Sequence, residues 1–206
     1  AAQAEGQDGF KLTLKIPCYL PVMQFATRSS LREKLYRAYV TRASDQAEGD
    51  GQKFDNTALI GEILALRDAG DALQPAFQLL IYPATDMRGT SASHHENGSG
   101  YLLTRDVIDY FQGHYLDATQ YADWRASPLL HSSHAGLPPA FVLTAGYDPL
   151  RDEGEAYGQK LKDAGVPTEV VRGEGLVHGF LAMIHYAPSA GRAFEKMVAA
   201  IEKAAK

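Results

Sequence analysis

The sequence predicts a three-layer α/β fold: a reduced parallel sheet of at least three strands, flanked by helices, with an added helical segment at the amino-terminal side. Two observations carry this prediction. Short, nearly continuous apolar runs are typical of strands buried on both faces, and they occupy residues 76–82 and 139–145; a third strand is predicted over 168–172. Segments with helical spacing follow these runs, at about 105–115, 151–164 and 188–204. Alternation of strand and helix is the pattern of a parallel sheet with crossover helices.

The elements before the first buried run are a short strand and two helices. Residues 10–16 alternate between apolar and polar side chains, which predicts a short edge strand. A capping box, Ser30–Glu33, predicts a helix that continues to about residue 43. A second helix is predicted over 57–68, and Gly70 is suited to end it.

The later elements are bounded by equally clear signals. Pro83 closes the apolar run 76–82, and residues 84–100 form a polar stretch that predicts a loop. Thr104 is suited to cap the helix at 105–115. Together these signals order the carboxyl-terminal part as strand, helix, strand, helix, strand, helix.

Composition excludes several classes of protein. The chain has 206 residues, a net charge of −5 and one cysteine, Cys18, so an internal disulfide framework and a cysteine zinc site are both excluded. An isoelectric point near 5.8 offers no electrostatic footprint for nucleic acid. Apolar runs fall short of the roughly 18 residues that a membrane helix needs. We therefore expect a cytoplasmic protein that does not bind nucleic acid and does not span a membrane.

Two residues at predicted strand ends carry the candidate chemistry. Asp148 follows the run 139–145, and His178 follows the run 168–172. Carboxyl ends of parallel strands meet at one edge of a sheet, where catalytic groups gather. An acid followed by a histidine matches the order of the second and third members of a hydrolase triad. The alternative for Asp148 is a helix cap, and we interpret Asp152 and Glu153 as charges that complement the dipole of the following helix.

Residues of about 69–206 resemble the carboxyl-terminal half of α/β-hydrolases of the hormone-sensitive-lipase type, a carboxylesterase family. The matching segments are Gln78–Asp86, Tyr101–Thr104, Asp123–Pro128, Leu137–Ala140, Tyr147–Gly154 and Val177–Phe180. The resemblance implies an α/β-hydrolase fold, a small carboxylic ester as ligand, and catalytic roles for Asp148 as triad acid and His178 as triad base.

The sequence departs from that family at the nucleophile. Such enzymes carry a Gly-x-Ser-x-Gly elbow and an upstream His-Gly-Gly stretch that forms the oxyanion hole, and this sequence has neither. The nearest approach is Gly98-Ser99-Gly100, which Asn97 and Tyr101 exclude from the elbow pattern, so Ser99 is interpreted as a loop serine. With no nucleophile identified, we expect weak ester hydrolysis or none.

Residues of about 8–67 resemble an amino-terminal segment of oligopeptidase A, a zinc peptidase of the thimet-oligopeptidase type. The matching segments are Leu12–Pro17, Tyr19–Met23, Leu31–Tyr39, Thr41–Ser44, Asp55–Asn56 and Glu62–Arg67. Zinc chemistry in that family needs a His-Glu-x-x-His helix, but His95-Glu96 is followed by Ser99 where the second histidine is required. We therefore expect no metal and no cofactor, and interpret His94 and His95 as a solvated loop pair.

The two resemblances suggest a chimera of a 1–67 oligopeptidase-like segment and a 68–206 partial hydrolase domain, joined within the helix at 57–68. All seven histidines lie in the second part. We expect one joint core, in which this helix packs on the strand at 76–82 in place of the helix that follows the elbow. Three further histidines, His131, His134 and His185, are interpreted as surface or packing residues. The sequence indicates no role for His114.

Three functions follow from different classes of protein. The first is a carboxylesterase-related hydrolase with little or no activity of its own. The second is a folded, non-catalytic recombinant protein that self-associates as a homo-oligomer through an exposed sheet edge, because a sheet cut in half leaves strand edges unpaired. The third is a peptidase-derived module.

Overall fold

The computed structural model describes residues 13–14, 56–70 and 76–204. Its strands are β1 Thr13–Leu14, β2 Gln78–Ile81, β3 Ala140–Tyr147 and β4 Thr168–Val177. Its α-helices are α1 Asn56–Asp68, α2 Ala92–Glu96, α3 Arg105–Tyr115, α4 Arg151–Asp163 and α5 Pro188–Ala204. Short 3₁₀ turns lie at Ala118–Gln120, Pro128–Leu130 and Phe180–Met183.

The described strands form one parallel sheet in the order β1-β2-β3-β4. Gln78 of β2 pairs with Ala140 of β3, and Ala140 pairs in turn with Thr168 of β4. Strands β2 and β3 are buried throughout, apart from Tyr147 at the end of β3. The prediction of a parallel sheet with at least three strands and flanking helices is confirmed.

Alternation along the central strands builds a core on each side of the sheet. Leu79 and Phe141 belong to a buried cluster with α5, which contributes Phe194, Met197 and Ile201 among others. The neighbouring strand residues Leu80 and Val142 belong to the opposite cluster, with Tyr157 and Leu161 of α4 and Ile60, Ile63 and Leu64 of α1. Successive strand side chains point to opposite faces, so two uninterrupted apolar runs supply both inner surfaces of a three-layer structure.

Helix α1 therefore shares its core with the sheet. Its buried side chains lie in the same cluster as Leu80 of β2. Its carboxyl-terminal end is fastened to a loop, because Arg67 donates hydrogen bonds to the carbonyl oxygens of Ser133 and Ala135. Asp68 accepts a hydrogen bond from Nε2 of His131 at 3.0 Å. None of the helices in the described ranges is long and apolar enough to cross a membrane.

Several predicted bounds need correction. The loop predicted over 84–100 contains helix α2, which is too short for a helical period to appear in the sequence. The strand predicted over 168–172 continues to Val177, because pairing with β3 resumes at Tyr147 after an irregularity in register. The predicted helix that begins at Ser30 lies outside the described residues, as does most of the strand predicted over 10–16.

Helix α4 approaches the sheet more closely than most side chains would permit. A Cβ atom at Gly158 would lie 2.5 Å from Cγ2 of Val170 and 3.4 Å from Cγ2 of Val142. Both neighbours are β-branched and held by the sheet, so neither can swing away cheaply. Glycine at this position is therefore a packing requirement of the helix–sheet contact.

Replacing this glycine tests the contact. Alanine is the better helix former by about 1 kcal/mol, but overpacking a core typically costs about 1–3 kcal/mol, so we expect Gly158→Ala to lower the free energy of unfolding. Gly113 of α3 is the matched control, since its Cβ would meet nothing within 4 Å, and Gly113→Ala should raise stability by up to about 1 kcal/mol. Urea unfolding measures both. Equal effects of the two substitutions would contradict the close packing of α4.

An ion pair joins α4 to the sheet at its solvent side. Glu155 accepts hydrogen bonds from Nε of Arg172 on β4 at 2.7 Å and from Oγ1 of Thr144 on β3 at 2.9 Å. Burial alone would raise the pKa of the Glu155 carboxyl, but the hydrogen bonds from Arg172 and Thr144 and the positive charge of Arg172 lower that pKa overall. The folded state therefore holds this carboxylate in its charged form.

The lowered pKa gives Arg172→Met a pH-dependent effect. A depressed folded pKa supplies stability above the unfolded value and loses it as the pH falls through the folded value. We expect Arg172→Met to cost up to about 1 kcal/mol near pH 7, since the pair is partly exposed, and less near pH 3. Urea unfolding followed by circular dichroism at both pH values measures this. Arg125→Met, at a more exposed ion pair, is the control; an Arg172→Met cost that stays constant with pH would refute the assignment.

Candidate active site

Asp148 lies at the point where the chain leaves β3 and turns into α4. Its side chain is completely buried. One carboxylate oxygen, Oδ1, accepts a hydrogen bond from the backbone N–H of Leu150 at 2.9 Å, which fixes the turn. The residue at the cap position of α4 is Leu150, so Asp148 stands two residues before the cap rather than in it. Its second oxygen, Oδ2, is left to face another element.

His178 follows β4 directly and supplies that partner. Its Nδ1 atom lies 2.7 Å from Oδ2 of Asp148. Gly179 has φ +78°, a left-handed conformation that lets the chain turn immediately after the histidine. The structure thus brings the two sequence-predicted site residues into hydrogen-bond contact at the carboxyl edge of the sheet. Because a carboxylate only accepts hydrogen bonds, the Nδ1 atom carries the proton and Nε2 is the basic nitrogen.

The imidazole of His178 rests against an aromatic residue that sequence reasoning missed. The ring of Tyr82, at the end of β2, lies 4.5 Å from the His178 ring between centroids, and 5.6 Å from that of Phe180. Tyr82 has φ +34°, and among the described residues no other non-glycine residue has a positive φ. A residue before a proline normally adopts an extended backbone, so this conformation stores strain of about 1–3 kcal/mol. Its position at the carboxyl end of the predicted strand 76–82 was the available signal that it could lie near the site.

The serines in the described part of the chain do not complete a triad. Ser99 is exposed, and Ser127 is buried with its hydroxyl donating to the carbonyl of Tyr121 and accepting from the N–H of Met87. No hydroxyl or thiol within residues 13–14, 56–70 and 76–204 is hydrogen-bonded to Nε2 of His178. Cys18 and the predicted capping serines Ser29 and Ser30 lie outside these residues.

The interpretation of His94 and His95 as a solvated pair is wrong for His94. His95 is exposed, but His94 is 3% exposed and its Nε2 atom lies 2.8 Å from Oε2 of Glu153. The cause is a tertiary contact: α2 folds against the start of α4, 59 residues further along the chain. The Nδ1 atom of His94 has no hydrogen-bond partner among the described residues.

Glu153 is also more than a charge at a helix start. It lies in the first turn of α4, as predicted, but it is buried, and Oε1 accepts hydrogen bonds from the backbone N–H groups of Thr85 at 2.6 Å and Asp86 at 3.0 Å. Burial raises the pKa of its carboxyl, against the opposing effect of the hydrogen bonds from His94, Thr85 and Asp86. The carboxylate thereby links the loop after β2, helix α2 and helix α4.

The turn that carries Asp148, residues 148–150, is called the acid turn; it makes further contacts with α2 and with Asn97, which follows α2. The hydroxyl of Ser93 donates to the carbonyl of Pro149 at 2.6 Å and accepts from the N–H of Asp152 at 3.2 Å. The side-chain amide of Asn97 donates to the carbonyl of Asp148 at 3.3 Å. Ser93 of this five-residue helix and Asn97 after it therefore bind the segment that carries Asp148 at several points.

The remaining predicted histidines lie away from this edge. His131 is buried and bonded to Asp68, and His134 donates to the carbonyl of Pro128, so both are packing residues as expected. Burial lowers the pKa of His134. His185 is exposed. The described residues contain no group of three or more His, Cys, Asp or Glu side chains arranged to hold a metal ion.

Comparison with known proteins connects this geometry to two groups of relatives. The chain is 39% identical over 129 residues to the carboxylic ester hydrolase LipN of Mycobacterium tuberculosis, across 62% of this chain and 34% of that protein. It is 56% identical over 66 residues to oligopeptidase A of Salmonella typhimurium, across 32% of this chain and 10% of that protein. The chain spans less than half the length of the carboxylesterases that it matches.

Solved structures and a family match agree with the first of these relationships. The crystal structure of an alpha/beta hydrolase enzyme from the metagenome of Lake Arreo, Spain, superposes with a TM-score of 0.64 at 45% sequence identity, over 68% of this chain and 45% of that one. The family described as alpha/beta hydrolase fold matches residues 58–182, which is more than half of the chain. The protein therefore belongs to the alpha/beta hydrolase fold family and is related to its carboxylesterases.

Proposed function

We propose that Asp148 and His178 are the acid and base of a site for carboxylic esters, and that the chain hydrolyses esters weakly or not at all because it has no recognisable nucleophile. The 2.7 Å contact between Nδ1 of His178 and Oδ2 of Asp148 carries this proposal. It is supported by the relatives, whose names describe carboxylic ester hydrolases.

The chemistry of the pair follows from its orientation. The Asp148 carboxylate holds the imidazole in the tautomer with the proton on Nδ1, and it stabilises the imidazolium that forms when Nε2 accepts a proton. In a complete site that proton comes from a serine hydroxyl as it attacks the ester carbonyl. In subtilisin, loss of the nucleophile lowers kcat by about 10⁶, so an acid–base pair by itself supplies little turnover.

The surface beside the pair is suited to an apolar ester. Tyr147, next to Asp148, stacks on Tyr101 with ring centroids 5.0 Å apart. Leu102 is 63% exposed. Its Cδ2 atom lies 3.6 Å from the point where a Cβ atom on Gly179, next to His178, would stand. Apolar side chains exposed beside polar catalytic groups favour a ligand with an apolar acyl or alcohol group.

A nitrophenyl ester assay tests the proposal. We expect the purified chain to release nitrophenolate no faster than its His178→Ala variant, because no hydroxyl among the described residues is hydrogen-bonded to Nε2 of His178. His185→Ala is the matched control, since this histidine is exposed.

Turnover that is lost in His178→Ala and retained in His185→Ala would overturn the absence of a nucleophile. Labelling by a serine-reactive phosphonate, followed by mass spectrometry of the peptides, would then identify the residue that attacks.

We also propose that the chain combines an oligopeptidase-like segment, 1–67, with a partial hydrolase domain, 68–206, in one joint core. The match to oligopeptidase A over 66 residues supports two lineages. The position of Ile60, Ile63 and Leu64 in a cluster with Leu80 and Tyr157 supports a shared core.

The joint core makes a stability prediction for Leu64→Ala. Leu64 is fully buried, and truncating such a side chain costs about 2–5 kcal/mol. Trp124, the only tryptophan, packs against the same cluster from the hydrolase part, so its fluorescence should report this loss in one urea transition. Ala65→Ser, at an exposed position of α1, should change stability by about 0.5 kcal/mol or less. A Trp124 transition unaffected by Leu64→Ala would show that the two parts unfold separately.

A further inference from the structure

Helix α2 and the following residue hold the acid turn by side chains rather than by secondary structure. The backbone carbonyls of Asp148 and Pro149 accept hydrogen bonds from Asn97 and Ser93. The N–H of Ser93 donates to Oδ2 of Asp152 at 2.8 Å, and the Ser93 hydroxyl accepts from the N–H of Asp152. Hydrogen bonds therefore hold the chain at Asp148, at Pro149 and at Asp152, and the position of the turn depends on where α2 lies.

The position of α2 depends in turn on His94. Its side chain is 1% exposed, and its contact with Glu153 joins α2 to α4 inside the protein. Glu153 is anchored independently by the N–H groups of Thr85 and Asp86, which follow β2. His94 thus ties α2 to a fixed point on the loop that leaves the sheet.

Packing alone does not explain a histidine at position 94. Its Nδ1 atom is buried without a hydrogen-bond partner among the described residues, and such an atom lowers stability compared with an apolar side chain of similar size. The Nε2 contact with Glu153 must therefore have a role that an apolar side chain at position 94 could not fill. A charged or polar contact in a buried place fixes one arrangement among several that apolar packing would tolerate.

We propose that His94 is a positioning residue, which holds Asp148 in hydrogen-bond contact with His178 through Glu153 and α2. This inference rests on the proposed function, since it concerns the same acid and base. His94 does not touch the reacting atoms, and it acts by fixing the turn on which the carboxylate is carried.

The test is the Nδ1 proton of His178, observed by NMR in the 206-residue chain. An imidazole N–H that is hydrogen-bonded to a carboxylate gives a strongly deshielded, slowly exchanging resonance, which Asp148→Asn and His178→Ala assign by its loss. We expect His94→Leu to remove or broaden this resonance while circular dichroism shows a folded chain. His94→Gln, whose side-chain amide can take the place of Nε2 as donor to Glu153, should restore it.

The matched control is His95→Leu, at an exposed position of the same helix, which should leave the resonance unchanged. If His94→Leu does not fold, Ser93→Ala is the deciding variant, because it removes only the hydroxyl contacts to Pro149, Asp152 and Ser91 and should broaden the same resonance. A folded His94→Leu chain that keeps the resonance overturns the positioning role alone, as does a Ser93→Ala chain that keeps it when His94→Leu is unfolded. Absence of the resonance from the unsubstituted chain overturns the acid–base pair itself.

Discussion

A buried carboxylate, that of Glu153, constrains the whole carboxyl edge of the sheet. Removing a charged group from water costs several kcal/mol, and hydrogen bonds to a charged group return about 1.5–3 kcal/mol each. Three donors meet this carboxylate: two backbone N–H groups after β2 and the imidazole of His94. Each donor comes from a segment without regular pairing to the sheet. Those segments must therefore take fixed positions, and the contact between Asp148 and His178 is built on them.

The central strands determine where the helices pack on the two faces of the sheet. Their uninterrupted apolar runs give two inner surfaces, one covered by α5 and the other by α4 together with α1. Gly158 lets α4 lie close to Val170 and Val142, and this helix begins only four residues after β3 ends. The acid turn is short, so this distance determines where Asp148 can stand. Packing far from the site thus contributes to its geometry.

Local patterns predicted the sheet, most helices and the two residues that meet at its edge, since those signals lie within a few residues of one another. The apolar run ending at Pro83 and the Asp–Pro turn after β3 are of this kind. The burial of His94 was beyond such reasoning, because its partner Glu153 is 59 residues away and α2 has only five residues. The length of β4 was missed because Gly173 and Gly175 interrupt its apolar pattern, whereas Gly173 still pairs with Ala145 of β3 and pairing resumes at Val177.

Tyr82 combines a strained backbone with a side chain that packs against His178. Its left-handed φ would suit glycine, but glycine has no ring to support the imidazole of His178. A substitution by glycine that relaxes the chain there removes the ring against which the imidazole of His178 packs. Selection for thermal robustness and selection for an ordered histidine therefore pull this residue in opposite directions. A variant stabilised by relieving the backbone strain at Tyr82 is therefore expected to hold the imidazole of His178 less firmly.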